Sequence, residues 1–270
     1  MRLSYSNLAC PDWPFERTVE AVATYGFDGI EIRLFDGDVV TPSLSQSSRR
    51  RAESALRSSG VSVAALDTSL QLVTTDRHAF LYDLDAMAEI AAQWGAPLLR
   101  IFGGSLPANP DSKRDAIKQA AELLAEAAPL AGYYGARLAL ETHDDFSSAH
   151  VVAEVLNYVG GSAGAVYDSL HPHRLGERPP EVLEALGRHI SLVQVKDARR
   201  DPSRSDQWQL VPMGEGEVPV PDLLGLLSSA GYVGWVSLEY EKKWHPELAS
   251  PEQSLRPQAE TLRRWVQALP

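Results

Sequence analysis

The sequence is poor in cysteine and has no long apolar run, and both shortages exclude classes of protein. Cys10 is the only cysteine in 270 residues, so neither an intrachain disulfide nor a cage of thiolate metal ligands can form. No stretch approaches the roughly 20 apolar residues of a membrane span. The first residues also lack the apolar core of a signal peptide. We therefore expect a cytoplasmic protein that has no membrane partner.

Positive charge is also in short supply. The chain has 25 Lys and Arg against 36 Asp and Glu, which gives a formal net charge of −11. An acidic surface repels the phosphate backbone, so nucleic acid is not expected as the main ligand. A small phosphorylated substrate stays open, because a local group of basic residues could bind one. The acidity itself needs no explanation beyond solubility.

Eight apolar runs alternate with eight helix-like segments, and 44% of the residues are hydrophobic. The predicted strands are Leu3–Leu8, Gly29–Leu34, Val61–Leu66, Pro97–Phe102, Arg137–Thr142, Gly164–Tyr167, Ile190–Lys196 and Trp235–Tyr240. The predicted helices are Pro14–Tyr25, Gln46–Ser59, Asp76–Trp94, Lys113–Tyr134, Ser147–Val159, Pro180–Leu186, Pro221–Ala230 and Pro251–Leu269. This alternation predicts parallel βαβ units. Eight units in a chain near the typical length of about 250 residues predict an α/β fold, a single (β/α)8 TIM barrel in which residues 1–270 form one domain.

One long segment, Ala198–Pro219, is predicted to be irregular. It is rich in Arg, Asp, Ser, Pro and Gly and follows the seventh predicted strand. Long loops at the carboxyl ends of barrel strands often serve as lids or binding loops. The alternative is an insertion without a function.

Four polar residues stand at the carboxyl ends of four consecutive strands: Glu141, Asp168, Gln194 and Glu239. Side chains at these ends point into one shared pocket of a barrel. A buried carboxylate is costly unless it is paired, protonated or bound to a metal ion. Each acid taken alone could be an exposed loop charge, but four matching positions favour a site. Oxygen ligands suit a hard divalent cation, so the pattern predicts a metalloenzyme.

Several segments together resemble the xylose isomerase-like superfamily, in its sugar phosphate isomerase/epimerase branch. The resemblance runs through nearly the whole chain. It is carried by Gly26–Arg33 (GFDGIEIR), Leu140–His143 (LETH), Asp168–His171 (DSLH), Val193–Asp197 (VQVKD), Gly214–Val218 (GEGEV) and Gly231–Glu239 (GYVGWVSLE).

The resemblance implies one bound divalent ion, Mn2+ or Mg2+, with Co2+ or Zn2+ as alternatives. It places Glu141, Asp168 and Glu239 on the metal. Gln194 stands where most members have histidine. Hydroxypyruvate isomerase, a relative, has glutamine at this position, and a glutamine carbonyl oxygen can bind Mg2+ or Mn2+. We therefore predict Gln194 as the fourth ligand, in a site made of oxygen atoms alone.

The resemblance also implies an activity. Isomerases and epimerases of this family remove a proton next to a carbonyl through an enediolate, with Glu141 and Glu239 in the positions of the acid and the base. The expected substrate is a small carbohydrate or keto acid, and a homodimer or homotetramer is expected by analogy.

Three other functions remain open on the same fold. A lyase, either a dehydratase or a C-glycoside-cleaving β-eliminase, begins with the same proton abstraction. A metal-free, non-catalytic barrel is a second alternative. An endonuclease IV-like repair enzyme needs a basic surface and more histidines, which the net charge of −11 and Gln194 argue against.

Basic side chains are the candidates for substrate contact: His171, His143, Lys196 and Arg100. His171 matches a substrate-binding histidine of the family, although it could be a simple loop histidine. Lys196 either faces the substrate or pairs with Asp197, and Arg100 either contacts substrate or forms a salt bridge inside the barrel. Two acidic residues, Glu31 and Glu215, are weaker candidates for substrate contact.

Overall fold

The computed structural model describes residues 1–201 and 203–269, and within them eight parallel strands close into one barrel. The strands are β1 (Arg2–Ser6), β2 (Gly29–Ile32), β3 (Ser62–Gln71), β4 (Leu98–Phe102), β5 (Arg137–Glu141), β6 (Gly164–Asp168), β7 (Ile190–Val195) and β8 (Trp235–Leu238). Consecutive strands pair with each other, and β1 closes the ring on β8. The predicted (β/α)8 TIM barrel is confirmed.

Helices follow the strands and cover the barrel. They are Phe15–Tyr25, Gln46–Ser59, Arg77–Trp94, Pro110–Tyr133, Ala149–Val159, Leu170–Arg174, Pro179–Leu186, Val220–Ser229 and Pro251–Gln267. The fourth begins three residues before the predicted start because Asn109 caps it, accepting from Asp111 N at 3.0 Å and Ser112 N at 3.2 Å. Proline suits the first helical position, where no N–H donor is needed.

The bottom of the barrel is filled by apolar side chains. This inner cluster consists of Ala64, Ala65, Leu98, Ala139, Val166, Leu192 and Trp235. A Cβ atom at Gly29 would lie 2.4 Å from the indole of Trp235, so only glycine leaves room for this ring. Towards the carboxyl ends of β7 and β8, the positions that follow Leu192 and Trp235 on the same face are polar, namely Gln194 and Ser237.

The segment after β7 differs from the prediction. Asp197–Asp201 and Arg204–Val211 pair as an antiparallel hairpin, so the expectation of an irregular stretch over Ala198–Pro219 was wrong as far as Val211, and residues 212–219 are irregular as predicted. Position 202 of that stretch lies outside the described residues. The pairing joins residues up to 14 positions apart, for example Asp197 with Val211, and local composition does not report such contacts.

The remainder of that segment folds back onto Asp197. The carboxylate of Asp197 accepts from the backbone N–H groups of Gly214 and Gly216, both at 2.9 Å, and from Val218 N at 3.2 Å. One side chain therefore fixes the GEGEV motif next to the carboxyl end of β7.

Throughout residues 1–201 and 203–269, we find no helix that combines the length and the apolar character needed to cross a membrane.

Candidate metal and substrate site

The candidate site is layered, because alternate residues of a barrel strand point inward. The inward series are Leu192, Gln194 and Lys196 along β7, and Trp235, Ser237 and Glu239 along β8. The first member of each series belongs to the apolar cluster, and the later members are buried and polar. Polar groups therefore occupy two successive layers at the mouth of the barrel.

Three carboxylates meet in these layers. The ligand oxygens of Glu141, Asp168 and Glu239 all lie within 4.8 Å of one another, and all three residues are buried. Burial raises the pKa of Glu141, and nearby Glu239 adds to the effect. Burial likewise raises the pKa of Asp168 to about 8, with Glu239 and Glu141 contributing. Burial is the main cause of both raised pKa values, and repulsion between the carboxylates adds to it.

Gln194 lies beside these acids with its amide held at one end. Its register partner on β6 is Asp168. Gln194 Nε2 donates to Glu31 Oε1 at 2.9 Å across the barrel. Gln194 Oε1 is buried and has no hydrogen-bond partner among the residues described. An unpaired buried acceptor costs about 1–3 kcal/mol, so this oxygen is available to a ligand.

Lys196 is the centre of a buried ion-pair group. Its Nζ lies 3.0 Å from Asp168 Oδ2, 2.6 Å from Glu239 Oε2 and 2.5 Å from Glu241 Oε1. Burial alone lowers the pKa of Lys196, but these carboxylates outweigh burial and raise its pKa well above the ordinary value. The alternative prediction that Lys196 pairs with Asp197 was wrong, since Asp197 is occupied by backbone N–H groups of the following loop.

Arg100 holds Glu141 in place. Its Nε lies 3.0 Å from Glu141 Oε2 and 3.6 Å from Asp67 Oδ1, and its guanidinium stacks on Phe102 at 3.9 Å. Arg100 is 2% exposed. Of the two predicted roles, the geometry shows the salt bridge inside the barrel.

Two histidines, His143 and His171, lie next to Glu141, and one ligand atom of each of the three residues lies within 4.8 Å of the others. The rings of His143 and His171 meet edge to face at 4.6 Å, and His143 also lies 4.6 Å from Phe102. Burial, followed by Lys196 and His143, lowers the pKa of His171 well below its usual value, so its imidazole is neutral. Its buried Nε2 has no hydrogen-bond partner in the described chain. This nitrogen can therefore donate to or accept from a substrate hydroxyl.

Sequence reasoning missed three charged members of the cluster and underrated a fourth. Arg33, Asp67 and Glu241 were not predicted, and Glu31 was a weak candidate. Glu31 lies in β2 with Arg33 directly after it, Asp67 lies within β3, and Glu241 follows β8 by three residues. Burial, then Asp67 and Glu239, raise the pKa of Glu31 well above its usual value. Asp67 directly follows the predicted strand Val61–Leu66, just as Asp168 directly follows the predicted strand Gly164–Tyr167. The criterion that identified Asp168 would therefore also have identified Asp67. Glu215 is exposed, unlike these residues.

The oxygen donors fit a hard divalent cation. Glu141, Asp168 and Glu239 bring carboxylate oxygens together, and Gln194 adds an amide oxygen without a partner. Mn2+ and Mg2+ prefer such a donor set. A cation there would also offset the repulsion that raises the pKa of Asp168. Glu239 touches Lys196 through Oε2 and keeps Oε1 for a ligand, whereas Asp168 would offer Oδ2, because its Oδ1 already accepts from Leu170 N and His171 N.

Comparison with known proteins agrees with the fold. The family model described as xylose isomerase-like TIM barrel matches residues 19–265. A putative hydroxypyruvate isomerase of Streptomyces coelicolor is 29% identical over 254 residues, which cover 85% of this chain and 86% of that protein. An inosose isomerase of Bacillus velezensis is 28% identical over 150 residues, 52% of each chain, so the match spans about half of that relative.

Solved structures share the whole architecture. The crystal structure of the IolI protein with a bound zinc atom superposes with a TM-score of 0.82 over 99% of this chain and 98% of that one, at 19% sequence identity. At this identity the likeness concerns the fold alone.

Proposed function

Because the chain belongs to the xylose isomerase-like TIM-barrel family, we propose that it is a divalent-metal-dependent isomerase or epimerase of small sugars, keto sugars or keto acids. One observation carries the proposal: three buried carboxylates meet within 4.8 Å beside an unpartnered amide oxygen. The two named relatives support the reaction class and differ in substrate charge, since hydroxypyruvate is an acid and inosose is neutral.

In this proposal the metal ligands are Glu141, Asp168, Gln194 and Glu239. Mn2+ or Mg2+ is the expected ion, with Co2+ or Zn2+ as alternatives. When bound, the ion supplies positive charge that stabilises a developing oxyanion on the substrate. Asp168 is fixed for binding, because its N–H donates to Thr142 Oγ1 at 2.9 Å and its Oδ1 accepts from Leu170 N at 2.7 Å.

Glu141 and Glu239 are the proposed acid and base. One carboxylate removes the proton from the carbon next to the carbonyl, and the other returns a proton to the product. Each has its own basic partner: Arg100 Nε lies 3.0 Å from Glu141, and Lys196 Nζ lies 2.6 Å from Glu239. The two cations hold the two carboxylates apart and in defined orientations. They take no part in the proton transfer.

His143, His171 and Phe102 form one wall of the pocket in this proposal. The neutral His171 imidazole orients a substrate hydroxyl through Nε2, and Phe102 excludes water on the side of Arg100. Keeping water away strengthens the electrostatic interactions inside the pocket.

Proton exchange tests the proposal directly. A panel of sugars and keto acids is incubated in D2O with the Mn2+-loaded protein and followed by NMR and mass spectrometry. We expect solvent deuterium at the carbon next to the carbonyl, with the atoms of the substrate otherwise conserved. Loss of water or of an aglycone would indicate a lyase instead.

The acid and base assignments predict large losses in matched variants. Glu141→Gln and Glu239→Gln should each lower kcat by at least about 100-fold, the scale of general acid–base catalysis, and leave the circular dichroism spectrum unchanged. Glu215→Gln, at an exposed position, is the control and should keep full activity. Near-normal turnover in both site variants would refute the assignment.

A further inference from the structure

Among the described residues, one buried cation at the mouth of the barrel forms no ion pair. Arg33 comes directly after β2, is 8% exposed, and points inward like Glu31 two residues earlier. Lys196 contacts three carboxylates and Arg100 contacts two. No carboxylate oxygen of the described residues lies within the 4.0 Å ion-pair distance of the Arg33 guanidinium. Asp67, Glu141 and Glu239 act on this charge only from beyond ion-pair distance, so a direct contact with an anion remains open.

The position of Arg33 is fixed even though its charge is not neutralised. Asn7 Oδ1 accepts from Arg33 N at 2.8 Å and holds the main chain. On the side chain, Nη1 donates to Asp67 O at 3.2 Å and Nη2 donates to Ser69 Oγ at 2.8 Å. A guanidinium has five N–H donors, so these two bonds leave N–H groups free for a further acceptor. The guanidinium is therefore already oriented, so that binding an anion would cost little conformational entropy.

Arg33 shares the pocket with the proposed catalytic residues and stays charged. Burial, then Arg100, lower the pKa of Arg33 to about 10, against the opposing effect of Asp67, Glu141 and Glu239. At neutral pH the guanidinium is therefore protonated. A buried guanidinium gains from a direct hydrogen-bonded contact with an anion, because charge-assisted hydrogen bonds are stronger than the neutral bonds that it makes here.

We propose that Arg33 binds the anionic end of the substrate, a carboxylate, so that the enzyme acts on hydroxy-keto acids in preference to neutral sugars. The planar fork of arginine matches the two oxygens of a carboxylate. This inference rests on the proposed function and narrows its substrate class. The carboxylate is not altered in the reaction, so Arg33 is a binding residue and Glu141 and Glu239 still move the proton.

A matched pair of substrates tests the inference. Hydroxypyruvate and dihydroxyacetone differ only in that one end is a carboxylate or a hydroxymethyl group. We expect the Mn2+-loaded wild type to prefer hydroxypyruvate by about 100-fold in kcat/KM, the scale of a buried charge pair. Arg33→Met should remove most of this preference by raising the KM for hydroxypyruvate. The kcat/KM for dihydroxyacetone should stay within about threefold of the wild-type value.

Control variants separate substrate binding from folding. Arg114→Met, at an exposed position on helix Pro110–Tyr133, should leave kcat/KM unchanged for both substrates. Arg33→Lys keeps the charge without the fork and should retain an intermediate preference. If Arg33→Met lowers kcat/KM equally for both substrates, or if the wild type shows no preference, the inference is overturned.

Binding without turnover decides the point independently of the variants and of the proposed function. Isothermal titration of the wild type compares glycerate with glycerol, which differ in the same way at one end. Tighter binding of glycerate by at least about tenfold supports an anion subsite, and equal binding refutes it. Dihydroxyacetone phosphate tests the other anion: if it outperforms hydroxypyruvate and depends on Arg33, the carboxylate assignment is wrong and the subsite binds phosphate. Failure of the proposed function alone would appear as glycerate binding without deuterium exchange in any substrate.

Discussion

The two ends of the Gln194 amide have different surroundings. Nε2 donates to Glu31, and Oε1 is left facing the carboxylate cluster without a partner among the described residues. Without this hydrogen bond, the amide would be free to turn its N–H groups, which repel a cation, towards the metal position. In the proposed site Glu31 would therefore orient Gln194 towards the metal ion, as groups behind metal ligands commonly do.

A double-mutant cycle measures this coupling. Glu31→Leu removes the acceptor and should weaken Mn2+ binding by about tenfold, at the lower end for residues behind a ligand. Glu31→Gln keeps a carbonyl acceptor and should stay within about threefold of the wild type. In a Gln194→Ala background, Glu31→Leu should have almost no further effect. Equal losses from Glu31→Leu in both backgrounds, measured by titration calorimetry, would show that Glu31 does not act through Gln194.

At the scale of elements, the strands and helices followed the sequence pattern and the connections did not. Leu170–Arg174 was not predicted as a helix because it is only five residues long and contains proline. It forms because Asp168 Oδ1 accepts from the N–H groups of Leu170 and His171. The hairpin after β7 escaped prediction for a related reason, since its pairing and its anchor at Asp197 are non-local contacts.

The loop on Asp197 makes a stability prediction with an internal control. A Cβ atom at Gly216 would lie 2.1 Å from Asp197 Oδ1 and 2.6 Å from Ala198 O, whereas Gly225 in helix Val220–Ser229 has nothing within 4 Å. Gly216→Ala should lower the free energy of unfolding by about 1–3 kcal/mol through this overlap. Gly225→Ala should raise it by about 0.5–1 kcal/mol through helix propensity.

Urea unfolding of the two glycine variants checks both signs in one experiment. An unchanged midpoint for Gly216→Ala would mean that the loop does not pack on Asp197 as described. A lower free energy of unfolding for Gly225→Ala would contradict the finding that this helix surface is open.

At the scale of the whole molecule, the mouth of the barrel collects more negative charge than positive. Its buried or half-buried acids are Glu31, Asp67, Glu141, Asp168, Glu239 and Glu241, and its bases are Arg33, Arg100 and Lys196. A divalent cation offsets most of the excess, and the proposal of a metal enzyme follows from this balance as much as from individual ligands.

The sequence was sufficient to predict the barrel and the four strand-end residues. Eight alternations gave the topology, and apolar runs ending in Glu141, Asp168, Gln194 and Glu239 gave the cluster. The pairing of its charges could not be predicted in the same way. Which carboxylate faces Lys196 depends on how layers from several strands stack, and no local pattern encodes that.

The central claim is that these four oxygen-bearing residues hold one divalent ion. Titration calorimetry of Mn2+ into the metal-free wild type measures this directly, with Asp168→Asn as the site variant and Glu215→Gln as the control. The account predicts saturable binding of one Mn2+ per chain in the wild type and in Glu215→Gln, and no saturable binding in Asp168→Asn. Absence of stoichiometric binding to the wild type, or binding that survives Asp168→Asn unchanged, would contradict it.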